Sequence, residues 1–279
     1  MAYSNVPIGT SNPGCIVILV DQSWSMGEGW GTETKAEGAA LAVNRILEEL
    51  VIAGRAGEMI RDRCHVSVIS YGERVECVVD GMISEVASSF IELKKLNKSI
   101  PDGAGGIVDV EVEMPVWVQP AANNGTPMHE AFERAAEIVQ RWCDDKPDGF
   151  PPTVINITDG DANYPDLTTD AARKVMNLHT TDGNVLVFNV HIANNKHQVI
   201  FPHSTTQLVG DNFAEFLFDI SSILPEPLHE DAVAVGLPAE PDTRCFGYNV
   251  DPATMIKILR FGTLALRLTG VRPLPPSVD

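Results

Sequence analysis

The sequence has no CxxC pair and only five cysteines, Cys15, Cys64, Cys77, Cys143 and Cys245. An odd, scattered set of this kind excludes a disulfide framework and a zinc knuckle, and all five are expected to be buried thiols. No stretch approaches the roughly 18 apolar residues that a membrane-spanning helix needs. The longest strong run, Ile16 to Val20, is ended by Asp21. No Lys or Arg precedes Lys35, so the opening segment lacks the basic start of a secretory signal, and a soluble cytoplasmic protein with no membrane contact is expected. Positive charge is scarce throughout: 20 Lys and Arg stand against 38 Asp and Glu, a formal net charge of −18. A field of that sign repels phosphate backbones and anionic bilayers, which argues against nucleic acid as a partner and suits cations or basic protein surfaces. Signatures of common catalytic loops are missing as well, with no GxSxG, GxxxxGK[ST] or HExxH.

What is present is an ordinary globular composition, 279 residues with 44% hydrophobic and 21% charged. A chain of this size buries roughly three quarters of its unfolded surface when it folds compactly. Short apolar runs alternate with longer segments of helical period, which predicts an α/β fold: a doubly wound, mostly parallel sheet with helices on both faces. Cys15 to Val20 reads as a central strand, and Lys35 to Val51 as an amphipathic helix. His65 to Tyr71 and Arg74 to Asp80 form a hairpin about Gly72. Thr126 is expected to cap a helix with Pro127 at its first position and Met128, Phe132, Ala135, Val139 and Trp142 as its apolar stripe. A strand at Thr153 to Thr158, a helix near Leu167 to His179, a strand at Val185 to Ile192 and a helix at Phe213 to Leu224 continue the pattern. Ile107 to Met114 alternates strictly and is expected as an edge strand or insertion with one wet face. Pro225 to Asp242 reads as an acidic surface crossing, and Asp251 and Pro252 as the start of a last helix, Ala253 to Phe261, before a Pro-rich tail.

In open parallel sheets, ligands bind beyond the carboxyl ends of the strands. Two apolar strands end there in polar residues: Asp21-Gln22-Ser23-Trp24-Ser25 and Thr158-Asp159-Gly160-Asp161. Between them in sequence lies Asn123-Asn124-Gly125-Thr126-Pro127. Two carboxylates and three hydroxyls are all oxygen donors, the set that suits Mg2+ or Mn2+ rather than zinc.

DQSWS, then GTP, then TDG resembles the metal-ion-dependent adhesion site of von Willebrand factor A domains, with order, spacing and strand context agreeing from Cys15 to Ile192. The resemblance implies that Ser23, Ser25 and Thr126 supply hydroxyls to the cation, with Asp21 and Asp159 acting mainly through water and by orienting the hydroxyls. It implies Mg2+ as the metal, Mn2+ or Ca2+ being alternatives. It also implies a non-enzymatic protein-binding module that docks an Asp or Glu of a partner on the metal. Residues 1–14 would then be an N-terminal tail, 15–224 the domain with the metal site, and 225–279 a C-terminal extension whose helix packs on the same domain. The segment Cys245 to Asp251 with Phe261-Gly262-Thr263 is similar to bacterial stand-alone A-domain proteins of the tellurium-resistance TerY type, which implies an adaptor beside a kinase or phosphatase in signalling or stress response.

Two other readings compete. A phosphatase of the haloacid dehalogenase type also places Asp after its first strand, but needs a second carboxylate two residues on, where this chain has Ser23. A scaffold with a non-functional metal site is the other, although all five expected metal residues are present. Trp24 replaces the Gly that many A domains carry between the two serines. With Trp30 it either forms an aromatic rim for a partner or folds back over the Gly27, Gly29 and Gly31 loop. Glu28, Glu33, Asp161 and Asp166 add negative potential or are solvated loop carboxylates, and His129, His179 and His191 read as packed or surface residues.

Overall fold

The computed structural model describes residues 8–101, 106–160, 162–194, 197–208 and 210–264. Its frame is set by the strand β1, Gly14–Asp21, in which all eight residues are buried. Burial on both faces explains the unbroken apolar run, since a parallel central strand has no wet side. Ile16, Ile18 and Val20 point into one half of the core and Cys15, Val17 and Leu19 into the other.

Around it the chain forms α1 (Lys35–Gly54), β2 (Cys64–Tyr71), β3 (Val75–Met82), β4 (Glu92–Pro101) and β5 (Ile107–Val116). It continues with α2 (Met128–Asp145), β6 (Thr153–Thr158), α3 (Pro165–Asn177), β7 (Leu186–His191), β8 (Val199–Ile200), α4 (Asn212–Asp219), β9 (Phe246–Tyr248) and α5 (Pro252–Leu264). The central sheet has seven strands in the order β8-β9-β7-β6-β1-β2-β3. The pairs from β9 to β2 are parallel, and β3 and β8 run antiparallel at the two edges. Apolar residues of α1 and α5 cover one face, and those of α2, α3 and α4 the other. The doubly wound α/β architecture expected from the pattern is the one observed.

Local signals place the helices well. Thr34 caps α1 in a reciprocal box with Glu37, and Asp251 Oδ1 accepts the Thr254 N–H at 2.7 Å where α5 begins. The start of α2 is a correction. Thr126 does not cap it; Pro127 is the boundary residue, at ψ 54°, and the helix starts at Met128. The Thr126 carbonyl instead accepts the Asn163 N–H, which holds this peptide against the loop after β6. Asp211, not Phe213, opens α4, accepting from the Phe213 and Ala214 N–H groups, and that helix stops at Asp219, short of the expected Leu224.

The strand at Ile107–Val116 lies outside the central sheet and pairs with Glu92–Pro101 as a separate two-stranded ribbon. Its apolar side chains grade from exposed Val108 and Val110 to buried Met114 and Val116 at the base. There Asn44 of α1 clamps the outgoing chain, its Oδ1 accepting from Trp117 and Val118 N–H and its Nδ2 donating to the Val118 carbonyl. The acidic crossing after residue 225 contains a short helix, His229–Ala234, with Leu228, Ala232 and Leu237 buried on the core. Cys77 faces outward on edge strand β3, so four of the five thiols are buried rather than all five. Ile8 is buried although it falls in the expected tail. The Pro-rich segment from Arg272 lies outside the described residues. No helix among the described residues is long and apolar enough to cross a membrane.

Candidate metal centre

Strand β1 has β2 on one side and β6 on the other, so the chain leaves the sheet in opposite directions on either side of it. This is the switch point where a crevice opens beyond the strand ends. Asp21 is the last residue of β1 and is fully buried. Its Oδ1 accepts the Ser23 N–H at 2.8 Å and its Oδ2 accepts the Thr158 hydroxyl at 2.6 Å. Burial pushes the Asp21 carboxyl up to about 7, against the hydrogen bonds from Thr158 and Ser23 that lower it and with the neighbouring charge of Asp159. Asp21 thus shapes the turn that follows β1 and does not itself reach solvent.

That turn sets Ser23 and Ser25 on one side, with their Oγ atoms 3.1 Å apart. Ser23 is buried and bridges to Asn123 in parallel, while the Asn123 N–H donates to the Gln22 carbonyl at 2.7 Å. The 123–126 loop is therefore laid directly along the serine loop. Gly125 makes this approach feasible: its φ is +86°, and a Cβ there would stand 3.3 Å from the Gly72 carbonyl oxygen. Thr126, also buried, follows at once and is tied through its carbonyl to Asn163 of the loop after β6.

The third loop carries Asp159. Thr158 Oγ1 accepts the Gly160 N–H at 3.0 Å, and His191 Nε2 lies 3.0 Å from the Asp159 carbonyl. Because His191 Nδ1 accepts the Asn249 N–H, the ring proton belongs on Nε2, which donates to that carbonyl. Burial lowers the His191 pKa, consistent with a neutral ring, which also stacks on Tyr248 at 5.2 Å. The Asp159 side chain is only 6% exposed. Its Oδ2 accepts from the Lys35 ammonium at 3.1 Å, and its Oδ1 is buried with no hydrogen-bond partner.

All five residues expected from sequence therefore stand at the carboxyl edge of β1 and β6 or in the loop laid along them. The donor set fits a hard cation: two hydroxyl oxygens in contact, a third hydroxyl residue buried in the adjoining loop, and a buried carboxylate oxygen left unsatisfied. Among the described residues no cluster of three or more His, Cys, Asp and Glu side chains is arranged for a metal, in keeping with a centre built on hydroxyls.

Three participants escaped the sequence reading. Thr158 bridges Asp21 and Gly160, and its position directly before Asp159 was the available signal. His191, which reads as a packed or surface residue, is packed, and it also fixes the Asp159 peptide. Lys35, the first basic residue of the chain, is 5% exposed and donates to both Glu28, at 2.8 Å, and Asp159. Burial opposes its charge, yet the hydrogen bond to Glu28 and the charge and hydrogen bond of Asp159 outweigh this and raise its pKa. Glu28 is thus paired rather than simply solvated. Of the two tryptophans, Trp24 stands out at 70% exposure and Trp30 folds in at 6%. Asp161 lies outside the described residues.

No protein-family model and no curated protein matches the sequence. Solved structures do match in shape. The vWF domain of the type V pili tip protein Mfa5 from Porphyromonas gingivalis is 10% identical, with a TM-score of 0.50 and 94% of this chain aligned to 98% of that one. The chain has the von Willebrand factor A fold. The pilus adhesin SpaC from Lactobacillus rhamnosus GG is similar to the same extent, at TM-score 0.50 and 12% identity over 95% of this chain, but this chain spans only 31% of that one. Likewise this chain spans 20% of the three N-terminal domains of Mfa5, at TM-score 0.33, 16% identity and 54% of its own length.

Proposed function

We propose that this A-domain chain is a docking module that binds protein partners through a divalent cation, and is not an enzyme. The observation that carries the reading is the pairing of the Ser23 and Ser25 hydroxyls after β1, together with the buried Oδ1 of Asp159 after the neighbouring β6, which has no hydrogen-bond partner. Ser23, Ser25 and Thr126 would hold the cation, with Asp21 and Asp159 behind them. A cation held largely by neutral hydroxyls and water keeps the electrophilicity to take an outside carboxylate as a further ligand. Mg2+ is the metal we propose, with Mn2+ and Ca2+ as alternatives, and a partner presenting Asp or Glu as the ligand.

The phosphatase alternative is disfavoured by the state of Asp21, which is fully buried with both oxygens engaged and has no carboxylate two residues on. The net charge of −18 supports a protein rather than a nucleic-acid partner. An adaptor role in bacterial signalling or stress response, beside a kinase or phosphatase and in the cytoplasm, rests on the TerY-type resemblance of the C-terminal motifs. The deciding experiment is a titration of the full chain with Mg2+ and Mn2+ by calorimetry, against an Asp21→Ala, Ser23→Ala double variant. Binding lost in the variant supports the reading, and equal binding overturns it. A pull-down with and without EDTA then tests whether partner capture depends on the metal.

A further inference from the structure

One polar group at this centre has no place in the docking reading. The Lys35 side chain, 7% exposed, runs from the first residue of α1 to the post-β6 loop and places its ammonium on Asp159 Oδ2, at 3.1 Å, and on Glu28 Oε2, at 2.8 Å. Asp159 thus has one oxygen on this ammonium and the other, Oδ1, buried without a hydrogen-bond partner. The two ends of the lysine's ion pairing differ. The Asp159 side chain is 6% exposed and Glu28 is 56% exposed, so one partner is fixed in the site and the other borders solvent.

Resting on the docking reading above, we propose that Lys35 sets the cation affinity of the centre: its ammonium already neutralises Asp159, so a divalent ion gains less from that carboxylate. The two positive charges then share one carboxylate, and their repulsion in a buried setting weakens ion binding. Glu28 offsets this by holding the ammonium from the solvent side. The chain therefore carries its own monovalent counter-cation, and the site binds a divalent ion more weakly than it would without Lys35.

The test is Mn2+ titration of the full chain, followed by calorimetry and by the loss of the free-ion electron paramagnetic resonance signal. Lys35→Met keeps length, apolar stem and helix propensity while removing the charge, and Lys35→Gln serves as a second variant if Met perturbs folding. Lys146→Met, at the far end of α2 from the site, controls for the loss of one positive charge. Lys35→Met is expected to tighten Mn2+ binding roughly tenfold or more, with Lys146→Met unchanged. If the parent binds Mn2+ and Lys35→Met binds equally or more weakly, the lysine proposal fails and the docking reading stands. If the parent does not bind but Lys35→Met does, the lysine proposal holds and the docking reading falls, the site being satisfied by its own side chain. Absence of binding by all variants overturns both.

Discussion

Thr158 Oγ1 donates a 2.6 Å hydrogen bond to Asp21 Oδ2, so the carboxyl ends of β6 and β1 are joined by their own terminal side chains. The same oxygen accepts the Gly160 N–H, and the turn that presents Asp159 is therefore referenced to Asp21.

Thr158→Val, which keeps the shape and removes the hydroxyl, should leave a buried carboxylate oxygen and an N–H without partners. The expected loss is about 2–3 kcal/mol in urea unfolding with an unchanged m-value. Mn2+ affinity should fall in parallel because the Asp159 turn loses its anchor. A stability change below about 0.5 kcal/mol would show the hydrogen bond to be dispensable.

Beneath the site a second polar chain crosses the sheet. Tyr71 donates to Asn156 at 2.7 Å, Asn156 to Asn189 at 2.9 Å, and Asn189 to Ser221 at 2.9 Å, all of them buried. Asn156→Ala should cost about 2–4 kcal/mol, since it strands both the Tyr71 hydroxyl and the Asn189 carbonyl oxygen. Tyr71→Phe in the Asn156→Ala background should recover part of that loss, a non-additivity that a double-mutant cycle in urea measures directly.

The two tryptophans of the serine loop should separate cleanly. Trp24→Ala is expected to change stability by less than about 0.5 kcal/mol, and Trp30→Ala to cost about 3–5 kcal/mol. Gly38→Ala reports on the same packing from below, because its Cβ would collide with the Trp30 ring. It should destabilise despite the higher helix propensity of Ala, and a stabilised Gly38→Ala protein would show that Trp30 does not rest on α1.

His65 supplies a pH dependence. Its ring packs on Trp142 at 5.5 Å, and burial lowers its pKa, only partly offset by Asp80 at 3.4 Å. A histidine with a depressed folded pKa takes up its proton more readily when unfolded, so stability falls as pH drops below about 6.5 toward the folded value. Between pH 7.5 and pH 5.5 the parent should lose more stability than His65→Gln, other titrating groups cancelling in the comparison. Equal losses would remove His65 from the account.

The sheet and most helices were legible because their signals are local: the all-apolar β1, the Thr34 capping box, and Asp251 before Pro252. The five site residues were legible because each adjoins the end of a strand or the start of a helix. Features set by distant parts of the chain were not. β9 is only three residues, and its pairing with Asn189 and Val190 depends on a return from residue 224 that no local pattern encodes. The alternation of Ile107 to Met114 is compatible with an edge strand and with the detached ribbon alike, and the ribbon follows from its pairing with Glu92–Pro101. Lys35 reads as the first turn of a helix, and only the fold brings it 124 positions along the sequence to Asp159. The first basic residue of the chain thus opens α1 while its ammonium lies against Asp159 at the site.

The antiparallel strands at the two ends of the sheet also bear on how copies of this chain meet. β3 presents exposed Glu76 and Asp80 along its length, and its register with β2 shifts between Val68 and Ile69, while β8 is two residues long. Carboxylates, a bulge and a short terminal strand each discourage the addition of another strand. The central sheet is thereby protected against edge-to-edge polymerisation through either of its end strands.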